Sequence, residues 1–190
     1  CILPQQVLEK ASQAVLNFNN SSLSLIEISH RSKDFVAVMD KAQALVKELL
    51  QIPKSYSVLF LQGGASTQFL MTTMNLLKTS GKAVYINTGT WSTKAIKEAK
   101  RIGYIDVIAS SEDKNFSYIP KEYSYSENTD YLHFTSNNTI FGTQFHEFPK
   151  VSKDTMLVCD MSSDIFSRKI DVSKFDLIYA GAQKNMGPAG

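Results

Sequence analysis

The sequence predicts an α/β fold in which a largely parallel sheet is covered by helices. Short apolar runs recur along the chain, two of the gaps between them carry helical periodicity, and turn-forming residues mark the junctions. The runs are 57–62, 83–88, 105–109, 131–135, 156–160 and 177–180, each long enough for a strand and short for a helix. Amphipathic patterns at 67–78 and 93–101 separate the first three, so the order reads βαβαβ. Parallel neighbours need such crossovers.

Two helices are expected ahead of the sheet. Pro4 suits a first helical position, and Leu8, Ala11, Val15 and Phe18 follow at helical spacing until the Asn-Asn-Ser-Ser stretch at 19–22 breaks the pattern. A stronger pattern runs from Lys33 to Gln51. Ser32 can cap it, Asp34 suits the positive end of the helix dipole, and Pro53 lies just beyond. Phe35, Val38, Met39, Ala42, Val46 and Leu49 form one stripe, so one face of this helix is expected to be buried. Residues 110–128 are polar, with three tyrosines and Pro120, and predict a loop. Without a repeat, low-complexity tract or linker, 1–190 reads as one continuous domain.

Composition narrows the class. A chain of 190 residues buries roughly 70% of its extended surface, enough for a core without staples. Twenty Lys and Arg against 18 Asp and Glu leave a net charge of +2, and 43% of the residues are apolar, as in an ordinary soluble globular protein. There is no basic field for nucleic acid. Two cysteines and three histidines show no metal-site spacing, so no metal is expected, and reduced thiols in a cytoplasmic protein are the simple reading. No apolar stretch approaches the ~20 residues of a membrane span, and the N-terminus has no signal-peptide zones. The chain opens on Cys1 and stops at Gly190 within Gly-Pro-Ala-Gly, so neither end is expected to be a natural terminus.

In open α/β sheets ligands bind beyond the carboxyl ends of the strands. After the first run comes Gln62-Gly63-Gly64-Ala65-Ser66-Thr67, which opens a helical pattern. It is either a phosphate cradle of backbone N–H groups and hydroxyls or a capped Gly-Gly turn; it lacks nucleotide-binding spacings. The next run ends near Trp91, the only tryptophan, which is either a lid on the core or a face for a ring to stack on. Ser136-Asn137-Asn138-Thr139 offers hydrogen-bonding side chains, or simply a turn.

Asp160 and Lys184 are the most informative pair. Asp160 sits where the run 156–160 surfaces, and 177–180 delivers Gly181-Ala182-Gln183-Lys184 to the same rim if the strands are parallel. A structural salt bridge would also place them so. Small residues before the lysine leave room for something bulky, and a cradle and an aromatic face line the same edge. Pyridoxal 5′-phosphate uses all of these: a lysine for the imine, a carboxylate for the ring nitrogen, a ring face, a hydroxyl for the phenolic oxygen and a phosphate cradle.

The chain resembles the phosphoserine aminotransferase family, pyridoxal-phosphate enzymes of fold type I. The resemblance rests on Ser29-His30-Arg31-Ser32-Lys33-Asp34-Phe35, Gly63-Gly64-Ala65-Ser66-Thr67-Gln68-Phe69, Thr88-Gly89-Thr90-Trp91-Ser92, Asn138-Thr139-Ile140-Phe141-Gly142 and Asp160-Met161-Ser162-Ser163. Its most specific motif is Tyr179-Ala180-Gly181-Ala182-Gln183-Lys184-Asn185-Met186-Gly187-Pro188. All occur in the family's order over nearly the whole chain.

The resemblance implies that 1–190 is the N-terminal part of a cofactor-binding large domain, a three-layer αβα unit, within a longer chain that adds a C-terminal domain. It implies Lys184 as the catalytic residue that also forms the imine, Asp160 on the pyridine nitrogen, Trp91 on the ring face and Thr139 on the phenolic oxygen. Ala65, Ser66 and Gln183 would bind the phosphate. Arg31 would take a substrate carboxylate, with His30 near the substrate phosphate. Some members carry an arginine at the position of Ser66, so here that charge must come from elsewhere. The implied reaction moves an amino group from L-glutamate to 3-phosphohydroxypyruvate in serine biosynthesis, and in many bacteria acts on 4-phosphohydroxy-L-threonine in pyridoxine biosynthesis. A cytoplasmic homodimer with shared sites is implied. Two competitors remain at this level: another fold-type-I enzyme, such as an alanine–glyoxylate type aminotransferase or cysteine desulfurase, and a non-catalytic binding module of the same fold.

Overall fold

The computed structural model describes residues 2–78 and 81–188; Cys1 and Gly190 lie outside them. In chain order the helices α1 (Gln5–Leu16), α2 (Lys33–Leu49) and α3 (Gly64–Leu76) precede strand β1 (Lys82–Asn87), helix α4 (Thr90–Ala99) and strand β2 (Tyr104–Ser110). Strands β3 (Tyr131–Thr135), β4 (Asn137–Asn138), β5 (Thr143–Gln144), β6 (Met156–Asp160) and β7 (Leu177–Tyr179) follow, and a short helix α5 spans Ala182–Asn185.

Strands β1, β2, β3, β6 and β7 form one sheet in the order β2-β1-β3-β6-β7, and every neighbouring pair is parallel. Side chains alternate across it, as strand geometry requires. Ala83, Tyr85, Tyr131, Val158 and Tyr179 face α3 and α4, packing with Phe69, Ala95, Ile96 and Ala99. Val84, Ile86, Leu132, Phe134, Leu157 and Cys159 face the other way, onto Val46 of α2, Leu50 and the loop residues Phe145, Val172 and Phe175. Both faces are apolar, which is why these strands read as continuous runs. The strands and helices form the α/β arrangement of a parallel sheet covered by helices.

Two expectations need correction. The run 57–62 is not a strand: it is extended without a ladder partner, with Leu59 70% and Leu61 55% exposed. Its pattern suits a buried strand, but a strand is a pairing, and among the described residues none flanks it; only Gln43 Nε2 donates to the Val58 carbonyl, at 3.2 Å. The stripe on α2 is buried at Val46 alone, with Leu50 just beyond, and Leu49 is 68% exposed. No residue of α1 is buried. Periodicity marks a face that can be covered, not the neighbour that covers it.

Element ends shift for local reasons. Helix α3 begins at Gly64, ahead of the expected Thr67, because Gly63 adopts φ +93° and Thr67 Oγ1 donates to its carbonyl at 2.7 Å. A side chain at Gly63 would stand 2.3 Å from Thr67 Oγ1, so glycine is required there. Ser32 caps α2 as expected, accepting from Phe35 N–H at 3.3 Å. The expected loop 110–128 holds only a single 3₁₀ turn at Glu112–Lys114. The β4–β5 pair and α5 leave no legible pattern in the sequence.

Candidate functional site

Asp160 is the last residue of β6 and only 2% exposed. Its Oδ1 accepts from Ser162 N–H at 2.9 Å, where the chain turns off the sheet. Burial pushes its carboxyl above the usual carboxylate range; the Ser162 hydrogen bonds and the Lys184 charge act in the opposite direction, while Asp164 adds to the rise. A carboxylate held this way is suited to a cationic partner.

Lys184 reaches the same place from α5. The register Asp160↔Tyr179 puts the ends of β6 and β7 side by side. Gly181 N–H then donates to Ser162 Oγ at 3.0 Å, tying the two strand exits together. Lys184 Nζ lies 4.8 Å from the centre of the Trp91 ring. Trp91 is set by the β1–α4 turn, where the buried Ser92 hydroxyl accepts from Thr88 N–H at 2.9 Å and lies 2.9 Å from the Gly89 carbonyl. Gly89 has φ +155°, and a side chain there would strike Asn138 at 2.7 Å. Asn138 in turn donates from Nδ2 to Thr88 Oγ1 at 2.9 Å. This turn fixes the indole over the rim, and Trp91 Nε1 points to Thr139 Oγ1 at 3.4 Å.

A cavity of about 290 Å³ opens among these groups. Of the residues expected from sequence, Ala65, Ser66, Trp91, Asp160, Gln183 and Lys184 line it. Thr139 does not line it; it is exposed, and its Oγ1 accepts from Trp91 Nε1 at 3.4 Å. His30 and Arg31 do not line it; they sit in an exposed turn before α2. The structure adds Phe69, Thr135, Asn137, Ser162, Ser163 and Gly181 to the lining, together with Gly63 and Gly64. Ser162 and Ser163 follow Asp160 directly, so their nearness to it is a signal the sequence carries. Thr135 could be found only by matching strand ends, since it pairs with Asp160 across the sheet.

The N-terminus of the 13-residue α3 faces the cavity with Gly64, Ala65 and Ser66, so first-turn N–H groups and the helix dipole favour an anion there. One cavity therefore combines an anion-binding end, an aromatic face, a buried carboxylate and an amine. A larger apolar groove of about 830 Å³ beside α2 has none of these groups in combination. Among the described residues no three His, Cys, Asp or Glu side chains cluster to hold a metal, and no helix is long and apolar enough to cross a membrane.

Comparison with known proteins places this geometry in a family. The whole chain, residues 1–190, matches the family described as Aminotransferase class-V. The chain belongs to the class-V aminotransferases. Among curated members, the phosphoserine aminotransferase of Flavobacterium johnsoniae is 66% identical over 190 residues, covering 100% of this chain and 53% of that protein. The solved phosphoserine aminotransferase from Bacillus circulans subsp. alkalophilus superposes with a TM-score of 0.96 at 49% identity, covering 100% of this chain and 53% of that one. The pyridoxal-phosphate-bound phosphoserine aminotransferase of Trichomonas vaginalis gives a TM-score of 0.91 at 35% identity, over 100% and 54% of the two chains. This class-V aminotransferase chain thus spans about half the length of the curated relatives it matches.

Proposed function

We propose that residues 1–190 form the N-terminal part of the cofactor-binding large domain of a phosphoserine aminotransferase that uses pyridoxal 5′-phosphate. The observation that carries this reading is the convergence of Asp160, Lys184 and Trp91 on one cavity closed by an anion-binding helix end. The residues suit the cofactor: a carboxylate for its ring nitrogen, an aromatic face for its ring, an amine for its aldehyde, and N–H groups for its phosphate. The buried Thr135 hydroxyl on the cavity wall also lacks a protein partner.

In this reading Ala65, Ser66 and Gln183 hold the phosphate, Trp91 stacks on the ring and Thr139 bonds the phenolic oxygen. Bound there, the cofactor supplies an electron sink for the pair left when a substrate Cα–H bond breaks. Asp160 keeps a proton on the ring nitrogen through its carboxylate. In each half of the reaction Lys184 Nζ would carry the proton between the substrate Cα and the cofactor. Trp91 and the rim shield this transfer from water.

The amino donor in the proposal is L-glutamate, which leaves as 2-oxoglutarate. The acceptor is 3-phosphohydroxypyruvate, which becomes O-phospho-L-serine in serine biosynthesis; 4-phosphohydroxy-L-threonine, in pyridoxine biosynthesis, is the second substrate. Arg31 takes the carboxylate and His30 lies near the phosphate. Because neither lines the cavity within one chain, these roles need the site to be completed, and we propose a cytoplasmic homodimer with shared active sites.

The test is a spectrum followed by rates. The purified protein mixed with pyridoxal 5′-phosphate should gain the visible absorbance of a lysine-bound cofactor, and Lys184→Ala should abolish it. Glutamate should then aminate 3-phosphohydroxypyruvate far faster than pyruvate or glyoxylate. A full-length protein with intact Lys184 that never acquires the band sinks the reading. Equal or better rates with the unphosphorylated acids would shift it to an alanine–glyoxylate type enzyme.

A further inference from the structure

Five buried side-chain polar atoms among the described residues lack a hydrogen-bond partner: Thr72 Oγ1, Ser111 Oγ, His133 Nδ1, Thr135 Oγ1 and Asn138 Oδ1. Leaving such a group unpaired costs free energy, so each asks for an explanation. Thr135 alone of the five lines the cavity that holds Asp160, Lys184 and Trp91. It is the last residue of β3 and only 3% exposed.

Its direction follows from the sheet. Thr135 pairs in parallel register with Asp160 on the adjacent strand, so the two side chains leave the sheet on the same side. Below Thr135 on that face the space is filled. The ring of His133 stacks on Tyr85 with centroids 4.6 Å apart, and its Nε2 lies 2.8 Å from the Tyr179 hydroxyl. Above Thr135 is the cavity. Beneath it His133 Nδ1 is likewise without a partner and so does not bond the hydroxyl, which stands beside a carboxylate that is itself nearly sealed from water.

We infer that Thr135 is a positioning residue for the cofactor site: once the cofactor occupies the cavity, the Thr135 hydroxyl donates to the Asp160 carboxylate and holds it ionised and aimed at the ring nitrogen. This rests on the pyridoxal-phosphate reading above. A small side-chain rotation between in-register neighbours makes the bond, and it supplies a second hydrogen bond to a carboxylate whose Oδ1 already accepts from Ser162 N–H. A hydrogen bond to a charged, desolvated group is among the stronger ones, and its loss is felt in binding.

The purified full-length protein is titrated with pyridoxal 5′-phosphate alone, and the visible absorbance of the lysine-bound cofactor is read, because Lys184 lies on the same cavity wall as Thr135. Thr135→Val, which keeps the shape and removes the hydroxyl, should bind about tenfold more weakly, while Thr135→Ser should stay within about twofold of the wild type. The thermal midpoints of the cofactor-free proteins are compared alongside; should Thr135→Val not fold, Thr135→Ala takes its place. Equal affinity for wild type and the hydroxyl-free variant overturns the inference. So does an equal loss in the Ser variant, which would assign the effect to the methyl group and packing. If the wild type itself shows no saturable absorbance change, the cofactor reading fails and this inference with it, a result distinct from the other two.

Discussion

Acid should weaken the folded chain through one buried imidazole. His133 sits in the middle of β3 and is 1% exposed. Burial lowers its pKa from 6.5 to about 3. The folded state therefore keeps it neutral while the unfolded chain takes up a proton as pH falls through the unfolded value, so stability is lost on acidification. Working that linkage through from pH 7 to pH 5 gives a loss of about 2 kcal/mol from this residue alone. The figure hardly changes if the folded value lies anywhere well below 5. With a urea dependence of about 2 kcal/mol per M, the denaturation midpoint should drop by roughly 1 M over that range. His133→Gln is the comparison, because its amide can still bond the Tyr179 hydroxyl and carries no proton equilibrium. Urea titrations of both proteins at the two pH values isolate the contribution of His133, since other acid-sensitive groups act on both. If the wild-type midpoint falls no further than that of the variant, the burial argument for His133 is wrong.

Other outcomes follow from the same geometry. Lys184→Ala should cost about 10²- to 10⁴-fold in the rate of glutamate-dependent transamination, measured in steady state, if Nζ carries the proton. Trp91→Ala should weaken pyridoxal 5′-phosphate binding by several-fold, read from absorbance titration, because a stacked aromatic face contributes about 0.5–1.5 kcal/mol beyond burial. Gly63→Ala should destabilise the start of α3 by about 1–3 kcal/mol in thermal or urea unfolding, since a Cβ there meets Thr67 and the residue holds φ +93°. A Leu157→Ala variant should lose about 2–5 kcal/mol, as this fully covered side chain lies in the packed face opposite the site.

Much of the site is legible in the sequence. Asp160 and Trp91 stand at or just past the ends of sheet strands, and parallel topology brings such ends to one rim; the Gly63–Ser66 stretch follows no strand and joins the cavity as the start of α3. Lys184 follows the last run closely enough to share that rim. The strands themselves are readable because both faces of the sheet are covered, so each run is apolar without interruption. Thr135 is not legible in this way. A threonine at a strand end is unremarkable in sequence, and its meaning depends on a register with a residue 25 positions away and on a hydroxyl left without a partner.

By itself the sequence determined the periodicities, five of the apolar runs as strands of the sheet, and which chemical groups could reach the carboxyl edge of a parallel sheet. Those follow from local backbone geometry and from the short path between a strand end and the next few residues. Only the tertiary structure decided which apolar faces are covered. It left 57–62 unpaired and the α2 stripe fully buried only at Val46, and it kept His30 and Arg31 away from the cavity. It also set Thr135 against Asp160. Pairing and burial are properties of two segments at once, and a pattern along one segment carries no record of the other.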